Sequence, residues 1–190
     1  MARRAIGIRS LPWAAAGAAV CLISVGGFQL WQTAAAHVQA AAGQREAAAA
    51  WSSAPSVATP RAIARLSDGA RGVDLYLMPD ADWESLKDGP GLFAGVAPGE
   101  PGMSVIAGHR ETHFAFLKDL ATGDVLTLTD RDDRSTEFRI TDARVVDGRT
   151  VQVGGTPAAG APSELMLVTC YPFDTADIGP ERYVVTLAAM

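Results

Sequence analysis

From about residue 66 to the C-terminus, apolar and polar positions alternate in short runs separated by Gly, Pro and Asp. The runs at residues 73–78, 103–107, 125–129, 136–146, 165–169 and 183–187 carry the period-2 pattern of half-buried strands. Two short helices are predicted between them, near residues 80–88 and 112–120, the first capped by Asp80. Residues 89–102 are crowded with Gly and Pro and predict a long loop or a series of turns. Six or more short strands in a stretch of about 125 residues predict a mostly β domain, a closed or nearly closed barrel and not a βαβ sheet.

The N-terminal third has a different texture. Residues 10–44 contain no Asp, Glu, Lys or Arg, and Arg3, Arg4 and Arg9 stand just before them. Residues 11–31, LPWAAAGAAVCLISVGGFQLW, have the length and apolarity of a bilayer-spanning helix. Trp13 and Trp31 are 18 positions apart, which at 1.5 Å per residue is about 27 Å, so each indole can sit at one membrane interface. The arginine asymmetry places the basic N-terminus, residues 1–10, in the cytoplasm and everything beyond residue 31 on the exported, periplasmic side of the inner membrane. A cleaved secretory signal is the competing reading; no compelling small-x-small cleavage site follows a short apolar core, although the Ala-rich stretch after Gln32 offers small-x-small triplets. Residues 32–65 then form an Ala-rich stalk, helical to about residue 51, and a breaker-rich linker at 52–60. His37 lies in the stalk with no second ligand nearby and reads as solvated. Residues 66–190 are the expected exported β domain.

Charge removes one class of function. All 21 acidic residues but only 13 of the 16 basic ones lie from Trp31 onward. So acidic a domain has no field to attract nucleic acid.

Two cysteines are present. Cys21 lies within the apolar run, so Cys170 is the sole exported thiol and has no intramolecular disulfide partner. It ends an apolar strand, Leu165 to Thr169, just before Tyr171-Pro172, where a rigid scaffold can present a reactive group. A lone cysteine in such a place is often only core. The second clue is His109, which ends the apolar run Val105-Ile106-Ala107 behind Gly108. Glycine there permits close backbone approach or special dihedrals. A thiolate is the attacking form of cysteine and needs electrostatic help near neutral pH, such as an imidazolium. A Cys and a His at the ends of neighbouring strands supply it. The sequence HRETH, with His109 and His113 four apart, superficially suggests zinc. The zincin patterns require Glu where Arg110 or Thr112 stands, and no metal is expected.

With these residues in view, the chain resembles the sortase family. Ile106-Ala107-Gly108-His109-Arg110, with Phe116-Leu117, Leu120 and Gly123-Asp124 behind it, resembles the family's histidine region. Leu167-Val168-Thr169-Cys170-Tyr171-Pro172-Phe173 resembles its cysteine signature, and Glu181-Arg182-Tyr183-Val184-Val185 its arginine strand. Gly89-Pro90-Gly91 and Gly99-Glu100-Pro101-Gly102 recur in the family at this distance before the histidine. The order and spacing are most similar to proteobacterial sortases of the class D type. Met166 departs from the signature, which usually begins with Thr.

The resemblance implies an eight-stranded sortase-like β-barrel with short helices, preceded here by one N-terminal transmembrane helix. It implies a cysteine transpeptidase that cleaves a Leu-Pro-x-Thr-Gly-like sorting signal between Thr and Gly through a thioester. The partners implied are an exported protein bearing that signal and an amine acceptor. Cys170 would be nucleophile, His109 acid and base, and Arg182 the oxyanion or substrate clamp. Thr169, Tyr171 and His113 would contact substrate, and residues 173–181 would line its groove. Some relatives bind calcium; here Asp130, Asp132 and Asp133 read as an ordinary turn, and no cofactor is expected. L,D-transpeptidases and papain-like proteases also pair Cys with His, but their cysteine signatures are absent. The remaining alternative is a non-catalytic anchored scaffold with a degenerate barrel.

Overall fold

The computed structural model describes residues 11–53, 60–150, 160–175 and 179–190, with side chains from residue 31 onward. The basic N-terminus, the side chains of the expected anchor and most of the expected linker lie outside the described residues. The chain divides into two compact units, Met1–Val38 and Gln39–Met190. Helix α1 spans Leu11–Trp51. Among the described residues, no helix is long and apolar enough to cross a membrane.

In the second unit, strands β1 (Ala64–Asp68), β2 (Val73–Leu77), β3 (Gly91–Gly95), β4 (Gly102–Ala107), β5 (Val125–Asp130), β6 (Ser135–Asp147), β7 (Ser163–Cys170) and β8 (Glu181–Ala189) form one sheet. Their order is β2-β1-β5-β6-β8-β7-β4-β3. All neighbours are antiparallel except β4 and β7. The two edges of the curled sheet meet at Met78, whose N–H donates to the Pro90 carbonyl (2.7 Å) and whose carbonyl accepts from the Leu92 N–H (3.1 Å). The barrel is therefore nearly closed. Its interior is filled by alternate strand residues, among them Leu66, Leu77, Ile106, Leu126, Leu128, Phe138, Ile140, Leu165, Leu167 and Leu187. Each such side chain contributes about 1.5–3 kcal/mol by leaving water. A 3₁₀ turn at Ala115–Asp119 inserts Leu117 into the same core.

Two local expectations need correction, and one strand is not among those expected. Residues 91–95 are strand β3, not loop. Their glycines allow close approach: a Cβ on Gly91 would lie 1.8 Å from the Asp80 carbonyl oxygen, and one on Gly95 would lie 2.0 Å from that of Met103. Glycine here thins the strand so that its neighbours can press against it. Strand β1 escapes a hydrophobic scan because its third inward position is Asp68. That carboxylate is buried, accepting from the Ala70 N–H (2.9 Å) and from Arg71 Nη1 (2.8 Å). Lastly, Asp80 does not cap the first short helix. Helix α2 is a single turn, Ser85–Asp88. Asp82 accepts the Ser85 N–H (2.7 Å), and Asp80 accepts that of Asp82 (3.3 Å).

The C-terminal part of α1 packs against the barrel. Ala47 is buried with Ala62 and Met78, and the Trp51 ring lies 5.6 Å from that of Tyr76. Gln44 acts as a substitute strand for the exposed edge of β2. Its Oε1 accepts the Tyr76 N–H (2.7 Å), and its Nε2 donates to the carbonyls of Tyr76 (3.1 Å) and Asp88 (3.0 Å). Covering an edge in this way removes a template for unwanted pairing.

Candidate active site

Cys170 ends β7, and its register partner on antiparallel β8 is Arg182, whose partner on β6 is Val146. Directly opposed residues of an antiparallel pair project from the same face, with Cα atoms about 4.5–5.5 Å apart. On the other side, parallel β4 pairs Ala107 with Val168. The contact continues past the strand end, for the Gly108 N–H donates to the Val168 carbonyl (3.2 Å). Extending that register by two residues brings His109 beside Cys170. Three strands thus place His109, Cys170 and Arg182 in one row.

The row lines a cavity of about 450 Å³. Its floor is one face of four strands: Val105 and Ala107 of β4, Val168 of β7, Val184 of β8 and Val146 of β6. These are the outward alternates of strands whose other face fills the barrel, so a single period-2 pattern builds both core and site. Apolar walls keep water from competing with the few charged groups. Trp83, Leu86 and Phe93 complete the rim.

Each member of the row has specific support. The Thr169 hydroxyl is buried and donates to the Gly108 carbonyl (2.7 Å), tying the cysteine strand to the histidine turn. Gly108 is required for close approach: a Cβ there would lie 2.8 Å from the Phe114 ring. Its φ is not in the left-handed region, so space and not dihedral freedom explains it. Arg182 uses Nη1 to donate to the carbonyls of Gly179 and Glu181, both at 2.8 Å. The arginine stem crosses Gly148, where an added Cβ would be 3.0 Å from Arg182 Cγ. The turn carrying Gly148 is braced by Asp147, whose carboxyl is held down to about 2 by hydrogen bonds from the Arg149 side chain and backbone. It therefore stays ionised through any working pH range.

A family model for the sortase domain matches residues 69–189. The chain belongs to the sortase family. It is 29% identical over 117 residues to sortase D of Bacillus subtilis (strain 168), a match covering 59% of this chain and 56% of that protein. The chain thus spans little more than half the length of that curated relative. Among solved structures, it is similar to the Clostridium perfringens sortase D5 transpeptidase with a TM-score of 0.63 and 19% identity, over 80% of this chain and 99% of that one. It is also similar to sortase A from Corynebacterium diphtheriae, with a TM-score of 0.57 and 21% identity, over 68% and 60% of the two chains. At these identities the structural likeness carries the fold. The likeness to sortase D proteins agrees with the class D flavour of the motifs.

Of the residues singled out in this sortase, Cys170, His109, Arg182 and Thr169 line one cavity. Thr169 does so with its hydroxyl already engaged. Tyr171 and His113 are not among the lining residues. The Tyr171 ring packs with Phe173 and Tyr183, at centroid distances of 6.3 and 6.4 Å, just beyond the cysteine. His113 is buried, 7% exposed, with Nδ1 facing the Thr112 hydroxyl at 3.4 Å. Met166 lies four residues before Cys170 on the same face of β7, half-buried and not among the residues that line the cavity. Asp130 is used by its own turn, accepting from the N–H groups of Asp132 (2.8 Å) and Arg134 (3.0 Å).

Residues missed in the sequence are those whose role is spatial. Arg110, only 2% exposed, donates from Nε to Glu111 (3.0 Å) and from Nη2 to the Thr175 carbonyl (2.6 Å). It ties the histidine turn to the loop between β7 and β8. Trp83 sets its ring 6.1 Å from that of His109, edge-on at 87°. Nothing in the pattern around Trp83 signals this contact, because α2 is 21 or more positions away from the histidine.

Proposed function

We propose that this sortase is an inner-membrane-anchored cysteine transpeptidase acting on an exported protein with a Leu-Pro-x-Thr-Gly-like sorting signal. The observation that carries the reading is the row His109–Cys170–Arg182 at the floor of one apolar cavity. In the proposed reaction, Cys170 Sγ attacks the threonine carbonyl carbon, and the carbonyl electrons move onto oxygen. Arg182, opposite Cys170 on β8, supplies positive charge for that oxyanion and for the thiolate that precedes it. As the tetrahedral species collapses, the Thr–Gly C–N bond breaks and His109 delivers its proton to the departing glycine amine. The thioester stays on Cys170. An incoming amine then loses a proton to His109, attacks the thioester carbon, and releases the thiolate.

The apolar cavity suits the side chains of such a signal, and the charged row sits where the scissile bond would lie. A bare scaffold has no use for a thiol, an imidazole and a guanidinium in register across three strands, which favours the enzyme over a non-catalytic barrel. Incubating the protein with a sorting-signal peptide and hydroxylamine tests the reading. It predicts a threonyl hydroxamate and a free peptide beginning with Gly; an uncut peptide overturns it.

His109 is the base in this scheme and His113 is not. His109→Ala should lower turnover by at least about 10², the usual scale for a positioned acid/base. His113→Ala should lower the melting temperature while costing much less in turnover, because its ring is buried outside the cavity. Peptide-cleavage kinetics beside a thermal melt check both expectations.

The anchor belongs to the same proposal and rests on the charge-free run after Arg9 and the arginine asymmetry. A reporter fused after residue 190 should be active only in the exported compartment, and the intact chain should sediment with membranes. Recovery of a soluble product cleaved after the apolar run would overturn it.

A further inference from the structure

The end of α1 touches the barrel at the segment that carries the cavity rim. Gly43 is the point of closest approach: a Cβ there would lie 2.4 Å from Asp88 Cα. Gln44 Nε2 holds the Asp88 carbonyl (3.0 Å), and Arg61 bridges Asp88 to Glu46 of α1, both at 2.8 Å. Asp88 is the last residue of the α2 turn. Within that turn Lys87 pairs with Glu84 (2.6 Å) and sets its ammonium 5.5 Å from the centre of the Trp83 ring. Asp82, beside Trp83, fixes the start of the turn through the Ser85 N–H. The far end of this chain of contacts is the edge-on packing of Trp83 against His109. Trp83 is nonetheless 68% exposed. Its ring is thus held by the turn beneath it, not by burial in a core, and displacing the turn displaces the ring.

We infer that Trp83 is a positioning residue for His109 and that residues 43 and 44 of α1 set its place through α2. The inference rests on the transpeptidase reading above. An imidazole that must first give and then take a proton needs a fixed ring plane. The backbone bonds from the Gly108 N–H to the Val168 carbonyl (3.2 Å) and from the Phe114 N–H to the His109 carbonyl (3.0 Å) hold the main chain of His109 but leave its ring plane to packing. Trp83 supplies an aromatic wall against that ring. The helix end is therefore part of the active-site apparatus as well as cover for the β2 edge.

The test uses the full chain in detergent micelles, with Trp83→Ala, Trp83→Phe, Gly43→Ala and the double variant Gly43→Ala/Trp83→Ala. Alanine favours the helical state over glycine, so Gly43→Ala keeps α1 while pressing on Asp88. Two readouts are taken: peptide-cleavage kcat and KM, and the rate of Cys170 alkylation by iodoacetamide against pH, which needs no substrate. Trp83→Ala and Gly43→Ala should each lower kcat about 10- to 100-fold, the scale of a misplaced catalytic group. Both should change the alkylation profile. Trp83→Ala should melt close to wild type, while Gly43→Ala, which forces the Asp88 backbone to move, should melt somewhat lower with the chain still folded at the assay temperature. Trp83→Phe should recover most of the loss. In the double variant the loss should equal that of Trp83→Ala alone, since a helix acting through Trp83 has nothing further to remove. Wild-type kcat and alkylation in Trp83→Ala and Gly43→Ala, or additive losses in the double variant, overturn the inference. Altered alkylation in these variants of a chain that never cleaves the peptide keeps the positioning and overturns the transpeptidase reading instead.

Discussion

Cys170→Ala is expected to reduce cleavage of a sorting-signal peptide to background while leaving the fold intact. Cys170 closes β7 half-buried at the cavity floor, outside the core formed by Leu165 and Leu167. Losing its sulfur therefore exposes no cavity in the core, and the melting temperature should stay near that of the parent chain. The kinetic loss should be very large. A nucleophile that works as one unit with its base is worth on the order of 10⁶ in turnover. Cys21 lies in the expected anchor, and Cys21→Ala should retain full activity. A slow residual reaction in Cys170→Ala, at more than a small fraction of the parent rate, would remove the thioester from the mechanism.

Arg182→Ala is expected to cost about 10²–10³ in turnover, the scale of losing one oxyanion donor. The geometry sharpens the comparison with lysine. Nη1 of Arg182 is committed to the carbonyls of Gly179 and Glu181, which orients the guanidinium plane of a residue that lines the cavity with Cys170. A lysine has one ammonium for both tasks: if it holds the loop carbonyls it cannot also meet the oxyanion. Arg182→Lys should therefore retain only a small part of the activity, though its formal charge is unchanged. Alkylation of Cys170 should slow in Arg182→Ala, because a nearby positive charge favours the thiolate, and much less in Arg182→Lys, which keeps that charge. Arg139, Arg144 and Arg149 contact Met190, Asp142 and Asp147 on exposed positions, and their alanine variants should stay within a few-fold of the parent. Near-normal turnover in Arg182→Ala would make it a surface charge.

The strands that build the site were the most legible part of the sequence. β4, β6, β7 and β8 bury one face and leave the other half-open, so their alternation is strong and their ends mark His109, Cys170 and Arg182. What stayed hidden was hidden for identifiable reasons. β3 was obscured because Gly91 and Gly95 serve close packing, and a composition rule reads such residues as turns. β1 was obscured because Asp68 occupies an inward position and is satisfied only by the fold. Asp80 has the chemistry of a cap, but Asp82 has the place. Thr169 stood in the right motif, yet only the structure gives its hydroxyl to Gly108. Trp83, Arg110, Gly148 and Gln44 act across large sequence separations, through contacts that no local pattern encodes. Sequence texture reports which face of an element is buried; it does not report which distant residue covers that face.

The most direct measurement of the central claim is the intact mass of the protein mixed rapidly with excess sorting-signal peptide and quenched in acid. The account predicts an adduct with the mass of the peptide fragment ending at threonine, carried on Cys170 and released by hydroxylamine. It predicts no such adduct in Cys170→Ala and a diminished one in Arg182→Ala. Peptide cleavage with the adduct absent, or with the adduct on a residue other than Cys170, would contradict it.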